Sequence, residues 1–223
     1  MRHLVISGAS SGIGLSTAKE FLDLGYKVIN LSRRRCPDAR VTHLAADLSK
    51  PNFLAPLEEK IQNALEEAEE IVLVHNAARL TNDNIESCAT DSLREILEIN
   101  LVAPSTLNQF LLPMMKTGSS IIYLGSTLSE KAVPNSFSYV TSKHGVVGMM
   151  RATCQDLASK KIHTACVCPG FTDTEMLREH VPEEFMNQVK GMSSFGRLVE
   201  PKEIARTILW VSQNPVINGS IIH

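Results

Sequence analysis

The sequence predicts an α/β protein, a single doubly wound parallel sheet with helices on both faces, over residues 1–223. Three observations predict it. Short apolar runs alternate with helix-length amphipathic stretches, the pattern of right-handed strand–helix–strand crossovers. Glycines 8, 12 and 14 fall between the first apolar run and the first helical pattern, where such a sheet has its tightest turn. No linker, repeat or low-complexity segment divides the chain.

In order, His3-Leu4-Val5-Ile6-Ser7 reads as a strand, followed by a helix with Leu15, Ala18, Phe21 and Leu22 on one face and Gly25 as its stop. Lys27 to Leu31 is the second strand and Val41 to Ala45 the third. No helix fits between them, because Cys36-Pro37-Asp38-Ala39-Arg40 is too short. Residues 53–69 read as a helix solvated by Glu58, Glu59, Lys60, Glu66, Glu67 and Glu69. Ile71 to His75 is the fourth strand. A long helical pattern covers 90–115, with an interruption predicted near Pro104. The Ile121 strand, a helix carrying Tyr139, and a strand from Thr164 to Cys168 follow. Residues 173–198 look polar and irregular. Glu200 to Ser212 is the last helix, with Pro201 at its start, and Ile217 to Ile222 a short final strand.

Composition removes several function classes. Lys plus Arg is 22 against 24 for Asp plus Glu, a net charge of -2, so no polyanionic partner such as nucleic acid is indicated. No run approaches the ~18 apolar residues of a membrane helix, and the first strand begins too early for a signal peptide. The five cysteines are odd in number and scattered, which points to free thiols and a cytoplasmic setting. Cys166 and Cys168 share one face of a strand and read as buried small hydrophobes, not metal ligands.

The chemistry concentrates between Ser126 and Lys143. Ser126 lies where the Ile121 strand ends. Tyr139 and Lys143 are four apart on the following helix, so phenol and ammonium share a face. A nearby cation favours phenolate and should lower the tyrosine's pKa. Tyrosine plus a hydroxyl at a strand end suits proton transfer to or from an alcohol or ketone oxygen. His144 points about 100° away around the helix and reads as a surface or interface residue.

The G-x-x-x-G-x-G spacing at Gly8, Gly12 and Gly14 lets backbone N–H groups approach a pyrophosphate at a helix start. At the end of the second strand, a carboxylate would accept from the ribose 2′-hydroxyl of NAD. This chain instead has Ser32-Arg33-Arg34-Arg35. A guanidinium there suits a 2′-phosphate, so NADP(H) is the expected cofactor and no metal is expected.

With these glycines, Asn76-Ala77-Ala78, Ser126, Tyr139-x-x-x-Lys143 and Pro169-Gly170 in order, the chain resembles the short-chain dehydrogenase/reductase family along essentially its whole length. It is most similar to the compact members that include the 3-oxoacyl-carrier-protein reductases, whose pattern matches Gly196 to Ala205. The resemblance implies a Rossmann-type fold and the following roles. Ser7 to Gly14, with Gly8, Ser10, Ser11, Gly12, Ile13 and Gly14, would wrap the pyrophosphate. Arg33 would meet the 2′-phosphate, and Asp47 with Leu48 the adenine. Asn76 and Ala77 would lie along the cofactor. Asn100 would bend its helix and hold a water linking Lys143 to solvent. Ser126 would orient the carbonyl, Tyr139 would be the general acid of reduction, and Lys143 would hold the nicotinamide ribose and depress the tyrosine pKa. Pro169, Gly170, Thr172 and Thr174 would cover the nicotinamide. Departures from the family pattern are His75-Asn76-Ala77-Ala78, with a methyl where glycine is common, and Ser7 in place of threonine.

The expected function is an NADP(H)-dependent oxidoreductase passing hydride between nicotinamide and a carbonyl or secondary alcohol. Its rivals are a dinucleotide-binding regulator or scaffold without turnover and an NAD-dependent alcohol dehydrogenase. The helical patterns 90–115 and 136–158 carry apolar residues beyond one face, among them Leu107, Phe110, Leu111, Val147 and Met150, so a homodimer or homotetramer is expected. Residues 175–198, which mix Met176, Leu177, Phe185, Met186 and Phe195 with charges and include Gly191 and Gly196, read as a substrate lid.

Overall fold

In the computed structural model, which describes residues 1–223, the apolar runs become seven strands: β1 (Arg2–Ser7), β2 (Lys27–Ser32), β3 (Thr42–Ala45), β4 (Glu70–His75), β5 (Ser120–Leu124), β6 (His163–Val167) and β7 (Ile221–Ile222). They form one sheet in the order β3-β2-β1-β4-β5-β6-β7. Every neighbouring pair is parallel. The doubly wound sheet read from the sequence is therefore what forms.

Because side chains alternate along a strand, each strand feeds two cores. Leu4, Ile6, Val72, Val74, Ile122 and Val167 meet Phe21 of α1 (Gly12–Asp23) and Ile208 and Val211 of α8 (Pro201–Ser212) on one face. Val5, Leu31, Leu73, Ile121 and Tyr123 meet the other face's helices: α2 (Glu58–Leu65), α4 (Ala103–Leu111) and α5 (Phe137–Asp156). No helix is long and apolar enough to cross a membrane.

Four details depart from the sequence reading. The helix placed at 53–69 is shorter: a 3₁₀ turn at Ala55–Leu57, with Pro56 at its start, precedes α2, which ends at Leu65. The 90–115 pattern splits into α3 (Thr90–Leu97), a π-helical turn at Glu98–Val102, and α4. The break falls before Pro104, which lies in the first turn of α4. Residues 173–198 are not irregular. They form α6 (Glu175–His180), a 3₁₀ turn at Glu183–Phe185 and α7 (Met186–Gly191), tied by a small core of Met186, Val189 and Leu198 with Leu177 and Val181. The final strand is two residues long, preceded by a 3₁₀ turn at Pro215–Ile217.

The apolar residues that suggested a second partner also resolve differently. Leu107, Leu111, Val147 and Met150 are turned into the chain's own core, and only Phe110 of the five is half-buried.

Candidate active site

The strand order reverses direction between β1 and β4, whose crossovers run to opposite sides. A crevice opens there beyond the carboxyl ends of the strands. Ser7 and Asn76 stitch its floor. The Ser7 hydroxyl accepts from the backbone N–H of Asn76 at 3.1 Å and of Ala77 at 3.0 Å, and Asn76 Nδ2 donates to the carbonyls of Ser7 (3.0 Å) and Gly8 (2.9 Å).

The glycine turn above this floor has no room for side chains. Gly8 and Gly12 sit at φ 76° and 54°, the left-handed region. A β-carbon on Gly14 would run into the Gly8 carbonyl oxygen and stand 2.5 Å from Asn76 Nδ2. Ser11 caps α1 with extended backbone and without a side-chain hydrogen bond into the helix, so the first-turn N–H groups of Gly12, Ile13 and Gly14 face outward unpaired by it. Ser10 is half-exposed in the same turn. This is a cradle a pyrophosphate fits: bare backbone donors at a helix start, with Gly8, Gly12 and Gly14 held to hydrogen by sterics.

Asn30, fully buried in β2, anchors the turn from beneath. Its Oδ1 accepts from Ala9 N at 2.8 Å and its Nδ2 donates to the Ser32 hydroxyl at 2.8 Å. Sequence reading passed over it; an asparagine inside the apolar run Val28-Ile29-Asn30-Leu31 was the available signal.

Beyond β2, Arg33 is exposed and Arg34 is the arginine with partners: its Nη2 donates to Ser11 Oγ at 3.1 Å and to Glu175 Oε2 at 2.6 Å. Past β3, hydrogen bonds from Ser49 hold the Asp47 carboxyl below the usual carboxylate range, with a smaller contribution from Arg33. Leu48 beside it is buried.

At the other end of the crevice the structure brings Ser126, Tyr139, Lys143 and Asn100 together. Ser126 follows β5 and caps a 3₁₀ turn, its Oγ accepting from Leu128 N at 3.1 Å. Gly125 before it must be glycine: a β-carbon there would lie 2.6 Å from Cys168 Sγ and 2.8 Å from Cys166 Sγ. Lys143 Nζ donates to the Leu124 carbonyl at 2.7 Å and lies 5.5 Å from the centre of the Tyr139 ring. Asn100 occupies the π-helical turn. Its Oδ1 accepts from Arg79 N at 2.8 Å, and its Nδ2 donates to Arg79 O at 3.0 Å and to Ser142 Oγ at 2.9 Å. The Asn100 side chain thus pairs with both backbone groups of Arg79 at the helix break.

The electrostatics correct one expectation. Tyr139 is not lowered by Lys143. Burial pushes the phenol up to about 12, against a smaller downward pull from the nearby Ser126 hydroxyl. Lys143 is itself lowered by burial to about 8. Its ammonium points at a carbonyl rather than at the phenol oxygen, and dehydration of both groups outweighs their attraction.

The residues after β6 fold back beside this end of the crevice. Pro169 O accepts from Thr127 N at 3.1 Å, and the buried Thr172 donates to Gly170 O at 3.0 Å. Thr174 caps α6 through Leu177 N at 3.3 Å, and its methyl would lie 3.1 Å from a β-carbon on Gly12. His180 of α6 reaches across to the Leu80 carbonyl at 3.0 Å. His144 is exposed, as its helical angle indicated.

One further residue had no marking in the sequence. Asp83 accepts at Oδ1 from Ser138 N (2.9 Å) and at its carbonyl from Phe137 N (3.1 Å), so it holds the first turn of α5 from outside the helix, two residues from Tyr139's position.

The comparisons agree with this geometry. The family model described as enoyl-(acyl carrier protein) reductase matches residues 8–223. The 3-oxoacyl-[acyl-carrier-protein] reductase of Mus musculus is 28% identical over 232 residues, 97% of this chain and 93% of that protein. Among solved structures, a short chain dehydrogenase family protein from Francisella tularensis subsp. tularensis SCHU S4 superposes with a TM-score of 0.92 at 25% identity, covering 100% of this chain and 96% of that one. The angucycline C-6 ketoreductase LanV with bound NADP superposes with a TM-score of 0.89 at 25% identity, covering 99% and 93%.

Proposed function

The chain belongs to the short-chain dehydrogenase/reductase family of oxidoreductases, and from that premise we propose that its 223 residues form one NADP(H)-binding domain that reduces a carbonyl, or oxidises the matching secondary alcohol, with Tyr139 as general acid or base. One observation carries the reading: the Ser126 hydroxyl sits close enough to the Tyr139 phenol to pull on its pKa, with Lys143 Nζ 5.5 Å from the ring centre, in the crevice that begins at the glycine cradle.

The roles follow from the groups present. The nicotinamide, when bound, supplies or accepts the hydride. Gly8, Ser10, Ser11, Gly12, Ile13 and Gly14 hold the pyrophosphate by backbone donors, Asp47 and Leu48 receive the adenine, and Asn76 and Ala77 line the middle of the crevice. Pro169, Gly170, Thr172 and Thr174 cover the reactive end. Ser126 donates to the substrate's carbonyl oxygen and orients it. Tyr139, which its dry surroundings hold in the protonated form, gives its proton to that oxygen as it becomes an alkoxide. Lys143 offers its remaining N–H donors to the ribose. Asn100 holds the helix open beside Ser142, where a proton can pass out to solvent. The direct test is NADPH oxidation against a panel of diketones, quinones and 3-oxoacyl thioesters. Consumption with at least one of them supports the reading. No turnover with any, despite tight NADPH binding, favours a dinucleotide-binding regulator.

NADP(H) is favoured over NAD(H) because the end of β2 offers Arg33 and Arg34 and no acid. NADPH is expected to bind at least tenfold more tightly than NADH, since a charge-assisted phosphate contact contributes about 1.5–3 kcal/mol. Arg33→Asp is expected to erase or reverse that preference. Equal dissociation constants for the two cofactors in titration calorimetry would refute it. LanV, whose structure contains NADP, supports the same choice.

The protein is further read as a cytoplasmic homodimer or homotetramer. Its five cysteines are all free, as a reducing compartment keeps them. With Leu107, Leu111, Val147 and Met150 spent on the core, the pairing surface rests on Val102, 45% exposed just before α4, and on the half-buried Phe110 and Met149. A dimer or larger is expected by light scattering at micromolar concentration, and a monomer would refute the assembly.

A further inference from the structure

Arg34 has a position that the binding of a dinucleotide alone does not account for. It stands just past β2, at the ribose end of the crevice. Its guanidinium is nonetheless hydrogen-bonded through one nitrogen both to Ser11, in the glycine turn, and to Glu175, the first residue of α6. One side chain thus joins three elements that border the crevice. The residue before Glu175, Thr174, packs its methyl against Gly12, so the strap lies directly over the pyrophosphate cradle. The pair is also exposed, 65% for Arg34 and 54% for Glu175. Exposed pairs of this kind contribute little to stability and exchange partners readily. Glu179, one turn further along α6, adds to the negative field at Arg34.

We propose that Arg34 and Glu175 form a phosphate-operated clasp: a 2′-phosphate takes the Arg34 guanidinium away from Glu175 and frees α6 to move, so that the same group that selects NADP(H) also releases the lid. The inference rests on the NADP(H) reading above and deepens it. The chemistry favours the exchange. A phosphate dianion presents three oxygens to a guanidinium that can bond two of them at once, whereas Glu175 engages a single nitrogen of Arg34. The released Glu175 carboxylate then faces the phosphate, whose like charge disfavours its return to Arg34. A cofactor with a plain 2′-hydroxyl has no group to compete with the carboxylate and leaves the clasp shut. Arg33 keeps its proposed role as a phosphate ligand; Arg34 adds the link between ligand and lid.

The test uses the whole protein and adenosine 2′,5′-bisphosphate, which carries the 2′-phosphate but no nicotinamide, with ADP as the probe lacking it. Binding of each is measured by calorimetry, and amide exchange is followed across residues 175–191. The bisphosphate is expected to speed exchange in α6 severalfold, and ADP is expected to leave it unchanged. Glu175→Gln is expected to show fast exchange without any ligand and no further response to the bisphosphate. If the bisphosphate binds tightly and exchange in α6 stays the same or slows, the clasp is wrong while NADP(H) binding stands. If neither probe binds, the cofactor reading itself fails, and the clasp with it. If Glu175→Gln exchanges as slowly as the wild type, Glu175 is not what holds α6 down, and the clasp is overturned.

Discussion

Tyr139→Phe is expected to lower turnover by a factor on the order of 10² or more while leaving NADPH affinity nearly unchanged. The substitution keeps the ring, its buried packing and the neighbouring Lys143. It removes the proposed proton donor to a substrate oxygen that Ser126 would orient. A general acid typically contributes 10²–10⁴ to a rate. The phenol, pushed up to about 12 by burial, is in its donor form throughout the neutral and mildly alkaline range. That suits reduction, in which Tyr139 must arrive protonated. Ser126→Ala is expected to cost less, because it loses the proposed orientation of the carbonyl and the hydroxyl that tempers the phenol, but not the proton itself. The deciding measurement is single-turnover hydride transfer by Tyr139→Phe with saturating NADPH and an accepted ketone. A rate near that of the wild type would mean that the proton comes from another group.

The fold was legible because its determinants are local and repeated. Each strand is an apolar run, each crossover an amphipathic stretch, and the glycine turn is marked by residues no other type can replace at Gly8, Gly12 and Gly14. Tyr139 and Lys143 were legible for the same reason, since a spacing of four on one helix fixes their neighbourhood. What the sequence hid depends on partners distant along the chain. Asn30 is an ordinary asparagine until Ala9 folds onto it. Asp83 looks like a loop aspartate until α5 begins beside it. The π-helical turn belongs to Asn100 and Arg79 jointly: the interruption expected near Pro104, and the bend the family resemblance assigned to Asn100, fall at Glu98–Val102, but the Arg79 backbone that Asn100 holds there could not be read from the sequence. The pKa relation between Lys143 and Tyr139 failed on a different ground. Spacing brings charges together, but it carries no information about how much water remains around them, and burial of both reversed the sign of the shift.

Lys143→Met is expected to make the protein inactive and more stable at once. Lys143 is buried, and a single hydrogen bond, to Leu124 O, answers an ammonium with three donors. Burial lowers its pKa from 10.5 to about 8. A lysine lowered in the folded state opposes folding wherever it is charged. Between those two pKa values the unfolded chain binds a proton that the folded chain lacks, so stability rises with pH across that window, and below it the penalty is complete. At about 1.4 kcal/mol per pKa unit, offset by roughly 1 kcal/mol or more for the lost bond to Leu124, the methionine variant should gain on the order of 1–2 kcal/mol at pH 7. For a chain of this size that is a melting temperature higher by about 2–8 °C. The advantage should shrink as pH rises from about 8 toward 10.5 and vanish above it, where the wild-type ammonium is discharged in both states. Turnover should fall by a factor on the order of 10² or more, and NADPH should bind more weakly, because the proposed ribose donor is gone. Melting curves at pH 7 and pH 10 decide the stability half. A variant that melts below the wild type at pH 7 would show that the buried ammonium supports the fold, and that this site is held at no cost to it.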